Sequence, residues 1–133
     1  MKRILLVEDN PDYQLFFKLK FDELALDAKL LTFSDGFSFL THLAEEACLP
    51  SVILLDLDLP GISGFDILER LKIDPKLKKI PVVILSSSEC KPDIEKSYQL
   101  NANSYVVKPI GLEATGDFIN YVHKYWLNFN QVA

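Results

Sequence analysis

Two cysteines, two histidines and five glycines in 133 residues leave little room for several common chemistries. Cys48 and Cys90 lie far apart and in no C-x-x-C spacing, which argues against a zinc ribbon or a dithiol redox site and leaves two reduced thiols. His42 and His123 have no Cys, His or acid at ligand spacing with an apolar surround and fall on amphipathic stretches, as surface or boundary residues. The chain has no phosphate-binding P-loop and no Gly-rich dinucleotide fingerprint, so a bound nucleotide is not signalled. It also lacks an apolar run long enough to span a bilayer. The Met-Lys-Arg start passes through a short apolar stretch straight into acid, with no small-residue cleavage site, so a signal peptide is not expected. Basic residues are outnumbered, 14 Lys and Arg against 19 Asp and Glu, for a formal charge of −5. That balance argues against binding nucleic acid or an anionic membrane, both of which need a basic surface. The expectation is a cytoplasmic protein with no membrane and no nucleic-acid partner.

What is present is alternation. Apolar runs "RILLVE" (3–8), "AKLLTF" (28–33), "SVILLD" (51–56), "IPVVILS" (80–86) and "NSYVVK" (103–108) read as strands, the first, third and fourth apolar on both faces. Between them lie stretches of helical period. Asn10 and Pro11 suit the N-cap and first position of a helix, and Tyr13, Phe16, Phe17 and Leu24 recur along it. Ser34 or Asp35 caps the next, whose Phe37, Leu40, Leu43 and Ala44 form one side. Phe65, Leu68 and Leu71 face inward from the third. Pro92 opens the fourth and Asn101 stops it; the closing helix runs through "GLEATGDFINYVHKYWLNF" with Phe118, Ile119 and Val122 as its core stripe. Tyr121, Tyr125 and Trp126 are aromatics beyond what that stripe requires. Five βα units with helix-length crossovers predict a parallel, doubly wound α/β sheet, organised as one domain over 1–133 with a core of about 2–127 and a short tail.

In such sheets ligands bind outside the carboxyl ends of the strands. Those ends carry Glu8-Asp9, Asp56 with Asp58 just beyond, Ser86-Ser87-Ser88 and Lys108-Pro109. Crowded carboxylates raise one another's pKa unless a cation compensates. A hard divalent ion such as Mg²⁺ takes one or two carboxylates and leaves room for phosphate oxygens. Lysine holds a phosphate as a point charge, and a hydroxyl hydrogen-bonds it. These are parts for in-line phosphoryl transfer, with a carboxylate as a possible nucleophile.

The stretches "ILLVEDNP", "VILLDLDLPGISG", "VVILSSS" and "NSYVVKP", in this order and spacing, resemble a response-regulator receiver domain (CheY-like) of bacterial two-component signalling over essentially the whole chain. The resemblance implies a flavodoxin-like (βα)5 fold with five parallel strands in the order 2-1-3-4-5. It implies that Asp56 is the phosphoacceptor and that Glu8, Asp9, Asp56 and the backbone carbonyl of Asp58 hold Mg²⁺. Ser86 would bind the phosphoryl group, with the small Ser87 keeping space beside it. Lys108 would pair with the group, and the Lys108–Pro109 peptide bond would be cis. Tyr105 would swing inward on activation, changing the helix 4–strand 5–helix 5 surface, and Asp58 and Ser88 would tune dephosphorylation. The acidic pair is Glu-Asp where many members have Asp-Asp, and Ser86 stands where Thr is more frequent; both changes keep the oxygen needed.

"DPKLKKIPVVILSSS", "KSYQLNANSYVVKP" and "HKYWL" are further similar to the stand-alone regulators that accompany bacterial phytochromes. The expected partners are a sensor histidine kinase, such as a bacterial phytochrome, or a histidine phosphotransfer protein, and a second copy through helix 4–strand 5–helix 5. No enzymatic turnover is expected beyond the domain's own phosphorylation and dephosphorylation. Two other readings compete. "DLD" after an apolar strand resembles the haloacid-dehalogenase-type phosphatases, with Asp56 as nucleophile, but Pro60 stands where Thr or Val is expected and a cap domain is missing. A pseudo-receiver, an interaction module that takes no phosphate, would not need the full set of rim residues.

Overall fold

The computed structural model describes residues 1–132; Ala133, the end of the expected tail, lies outside them. The chain alternates β1 (Lys2–Val7), α1 (Pro11–Glu23), β2 (Ala28–Phe33), α2 (Gly36–Glu45), β3 (Val52–Leu55), α3 (Gly64–Ile73), β4 (Val82–Ser86), α4 (Lys91–Gln99), β5 (Ser104–Val107) and α5 (Leu112–Val122). A short 3₁₀ turn, Leu77–Lys79, precedes β4, and a π-helical segment, His123–Phe129, continues α5. All four strand pairings are parallel, in the order β2-β1-β3-β4-β5, as expected.

Helices on both faces explain why the central strands are apolar without alternation. On one face Leu5, Val7, Ile53, Leu55, Val82 and Ile84 pack against Phe39 and Leu43 of α2 and Ile67, Leu68 and Leu71 of α3. On the other, Ile4, Leu6, Leu54, Val83 and Leu85 pack against Phe17 and Phe21 of α1 and Ile119 and Val122 of α5. The inward side of α2 differs from the sequence expectation: Gly36, Phe39 and Leu43 are buried, whereas Phe37 is 66% exposed and Ala44 is also exposed. Asp35 caps the helix, accepting from the Ser38 amide at 2.8 Å. Gly36 lies close against α3, where a Cβ would meet Ile67 Cδ1 at 2.8 Å, so the face that carries Gly36, Phe39 and Leu43 is the one turned inward.

Local signals work as read elsewhere. Asn10 accepts from the amides of Asp12 (2.9 Å) and Tyr13 (3.1 Å), and Pro11 begins α1. Asn101 follows α4 at φ +71°, the left-handed conformation that Asn tolerates. Gly64 is required by a close approach: a Cβ there would meet the Asp56 carbonyl oxygen at 2.2 Å and the Leu57 Cα at 2.5 Å. Its amide bonds to the Leu57 carbonyl at 2.9 Å, so the start of α3 lies directly on the end of β3.

Candidate functional site

The carboxyl ends of β1, β3, β4 and β5 bring the acidic and polar residues to one rim. Glu8 and Asp56 each follow the last strand residue by one and continue the ladder: the Glu8 amide bonds to Phe33 at 2.9 Å and the Asp56 amide to Val7 at 3.1 Å. Extending the ladder buries both side chains, Glu8 to 1% exposure and Asp56 to 4%, while Asp9 stays exposed. Carboxylate oxygens of Glu8, Asp9 and Asp56 lie within 4.8 Å of one another. A donor set made only of carboxylates, without thiolate or imidazole, suits a hard divalent cation.

Lys108 lies across this cluster. Its ammonium hydrogen-bonds the Glu8 carboxylate and stands 3.7 Å from Asp56 Oδ2. The second Glu8 oxygen accepts from the Asn10 amide at 3.1 Å. Burial, and then the neighbouring Glu8 charge, push the Asp56 carboxyl up to about 7, with Lys108 opposing the shift. A carboxyl so placed is held short of free ionisation until more positive charge arrives.

The β4 end supplies hydroxyls. Ser86 is fully buried, and its Oγ accepts from the Ser88 amide at 3.1 Å. Ser88 Oγ donates to Asp93 of α4 at 2.6 Å. The Tyr105 hydroxyl donates to the Ser88 carbonyl at 2.8 Å, so this ring is already folded over the loop between β4 and α4. Ser87 is exposed and, with Asn10, Tyr13, Lys108 and Pro109, lines a cavity of about 350 Å³ at the rim. The Asp58 carboxylate is exposed and outside the acidic cluster; its amide points to Asp56 Oδ1 at 3.5 Å.

The Lys108–Pro109 bond corrects one expectation. No peptide bond among the described residues is cis, so this one is trans. Trans is the lower-energy form of an X–Pro bond by about 0.5–1 kcal/mol. Lys108 reaches Glu8 with the bond trans, and its amide still bonds to Ser86 at 2.8 Å.

Two residues at the rim were not read as site residues from sequence, Gln14 not at all and Tyr13 only as part of the helical face. Gln14 donates to the backbone carbonyls of Glu8 and Phe33, tying the ends of β1 and β2 together. The Tyr13 ring lies under the Lys108 ammonium, 4.6 Å from centroid to Nζ. The signal for both was position: the first turn of α1 follows directly on the acidic end of β1.

Residues 4–120 match the family model described as "Response regulator receiver domain". The chain is 33% identical over 132 residues to the probable methanogenesis regulatory protein FilR2 of Methanothrix harundinacea, covering 96% of this chain and 85% of that one. It is 33% identical over 131 residues to the response regulator Rcp1 of Synechocystis sp., covering 95% and 89%. The crystal structure of the phosphorylated cyanobacterial phytochrome response regulator RcpA superposes with a TM-score of 0.88 at 34% identity over 98% of this chain and 97% of that one. Rcp1 has also been solved in a Mn²⁺-bound form, with a TM-score of 0.86 at 30% identity over 100% and 99%. Fold, rim and relatives agree, and the chain belongs to the response-regulator receiver domains of two-component signalling.

Proposed function

We propose that Asp56 accepts a phosphoryl group from a phosphohistidine of a sensor histidine kinase or a histidine phosphotransfer protein. The observation that carries this is the buried Asp56 carboxylate within reach of two further carboxylates and of Lys108. An Asp56 oxygen bonds to phosphorus as the phosphorus–nitrogen bond breaks, and the electron pair leaves on the donor imidazole, which takes up a proton. Glu8, Asp9, Asp56 and the backbone carbonyl of Asp58 would hold Mg²⁺. A bound Mg²⁺ would supply positive charge for the oxygens of the transferring group.

The chain's own residues do the rest. Lys108, now shared by Glu8 and Asp56, turns to an oxygen of the new group, which brings about −1.5 to −2 charges and three acceptors. Ser86, whose oxygen accepts from the Ser88 amide, turns its hydroxyl hydrogen to a second oxygen of the group, and this shift of Ser86 is felt at Ser88. Ser87 keeps the space beside it open. Because the Ser88 carbonyl holds Tyr105 and the Ser88 hydroxyl holds Asp93, that change reaches β5 and α4 together. Asp58 and Ser88 tune hydrolysis of the group. The domain then acts as a phosphoacceptor and not as a turnover catalyst.

Likeness to the phytochrome response regulator RcpA supports a phytochrome-type kinase as the donor. A second copy is the proposed partner of the α4–β5–α5 surface, since Tyr121, Tyr125 and Phe129 form an exposed aromatic row along α5 and its π-helical continuation. Labelling by a small phosphodonor such as acetyl phosphate tests the central claim. Wild type should take up one phosphoryl group only with Mg²⁺ present, and Asp56→Asn none. Equal labelling of the two proteins would remove Asp56 from its role, and steady phosphate release from many phosphoesters would favour a phosphatase.

A further inference from the structure

We propose that Tyr13 is a positioning residue of the site, whose ring face steadies the Lys108 ammonium while its hydroxyl takes no part. This rests on the reading of Lys108 as the phosphoryl-pairing cation only for its kinetic consequence; the contact itself stands apart from it.

A lysine ammonium on a four-carbon stem has many rotamers and no geometric fork to fix it. Lys108 has three neighbours that restrict it: Glu8, Asp56 at 3.7 Å, and the Tyr13 ring at 4.6 Å from its centroid. An ammonium this close to an aromatic face is attracted by the ring quadrupole, more strongly when water is excluded. Lys108 is 16% exposed, so much of its solvation is replaced by these groups. The ring is itself held in place. The Asn10 cap fixes the Tyr13 backbone, and Phe16 and Phe17 pack beside the ring at centroid distances of 6.5 and 6.2 Å.

The hydroxyl tells the two halves of the side chain apart. Tyr13 Oη is buried and has no hydrogen-bond partner among the described residues. An unpartnered buried hydroxyl costs stability, so nothing in the site rewards tyrosine over phenylalanine through that atom. It cannot serve as an anion either, because burial and the charges of Glu8 and Asp56 push it up to about 12. The chemistry left to Tyr13 is that of its π face.

Two measurements test this. The first is the proton chemical shift of the Lys108 ε-methylene in the metal-free, unphosphorylated protein. Ring current should move it upfield in wild type and in Tyr13→Phe, and the shift should vanish in Tyr13→Leu. An unshifted signal in folded wild type overturns the proposal. The second is the rate of Mg²⁺-dependent labelling by acetyl phosphate. Tyr13→Leu should slow uptake by about fivefold, within the range of a partly desolvated cation–π contact, and Tyr13→Phe should recover most of that loss. In a Lys108→Met background Tyr13→Leu should add no further loss; an equal loss there would mean that Tyr13 acts only through packing and would overturn the proposal. Failure of wild type to label at all would refute the phosphoacceptor reading, while the chemical shift would still decide the contact.

Discussion

The buried Asp56 carboxyl couples the stability of the metal-free fold to pH. Its pKa rises from 3.8 unfolded to about 7 folded. Between those values the native state keeps a proton that the unfolded chain has lost, so stability falls as pH rises through the window and levels off above about 7. With chelator at pH 8, Asp56→Asn should therefore raise the melting temperature by several degrees, from about 1–2 kcal/mol after allowance for water at the open rim. At pH 4 the gain should be nearly gone. Thermal melts across pH check this, and a gain independent of pH would show that desolvated charge at Asp56 is not the cause. Adding Mg²⁺ at pH 8 should stabilise wild type more than Asp56→Asn, because the variant has lost one carboxylate of the cluster. Gly64 is the backbone counterpart. A methyl group at that position has no room against the Asp56 carbonyl, so Gly64→Ala should cost about 1–3 kcal/mol and displace the loop beyond Asp56. Denaturant unfolding together with acetyl phosphate labelling would report both effects, and an unchanged midpoint would contradict the close approach.

At the scale of elements, α4 and β5 are joined more firmly than their short lengths suggest. The Tyr98 hydroxyl on α4 accepts from the Tyr105 amide at 3.0 Å, on the open edge of the sheet, while the Tyr105 hydroxyl reaches back to Ser88 before α4. Tyr105 is thus held at its amide and at its ring end, and one donor of the edge strand is covered. A hydrogen bond of this kind contributes about 1 kcal/mol, so Tyr98→Phe should speed exchange of the Tyr105 amide about fivefold. Hydrogen exchange followed by NMR would show it; unchanged protection would mean that this bond does not restrain β5. None of this was legible in the sequence, because α4 carries few apolar residues and its rotation is set by such contacts. The five strands were legible, because strands covered on both faces are continuous apolar runs. Their ends were placed within one or two residues, and the error at β1 has a physical source: Glu8 still hydrogen-bonds to Phe33 although the strand proper ends at Val7. Helix faces were harder. α1 has Phe17 and Phe21 buried but Leu15 and Leu19 exposed, so its periodicity could not show that Tyr13 and Gln14 turn toward the rim.

For the whole molecule, one rule made the rim legible: residues just past the ends of parallel strands share one edge of the sheet. That rule brought Glu8, Asp9, Asp56, Ser86 and Lys108 together, and the structure places them so. It does not extend to surfaces between molecules, where apolar side chains are exposed for want of a partner and not by any spacing. Tyr121, Tyr125 and Phe129 are 72%, 51% and 67% exposed, at every fourth residue along α5 and its π-helical continuation. Lys124 lies beside them around a shallow cavity of about 240 Å³. An aromatic row of this size on a molecule of charge −5 is better matched by a like surface than by a basic one, since the row itself carries no acid to attract a cation-rich partner. Self-association through it should appear in sedimentation velocity as a concentration-dependent increase in the weight-average coefficient. Tyr121→Glu with Tyr125→Glu should shift that dependence about tenfold higher in concentration, because paired charges at a two-fold interface meet their own copies. A wild type that sediments as a monomer throughout, or a double variant that associates as wild type does, would assign the row to another partner.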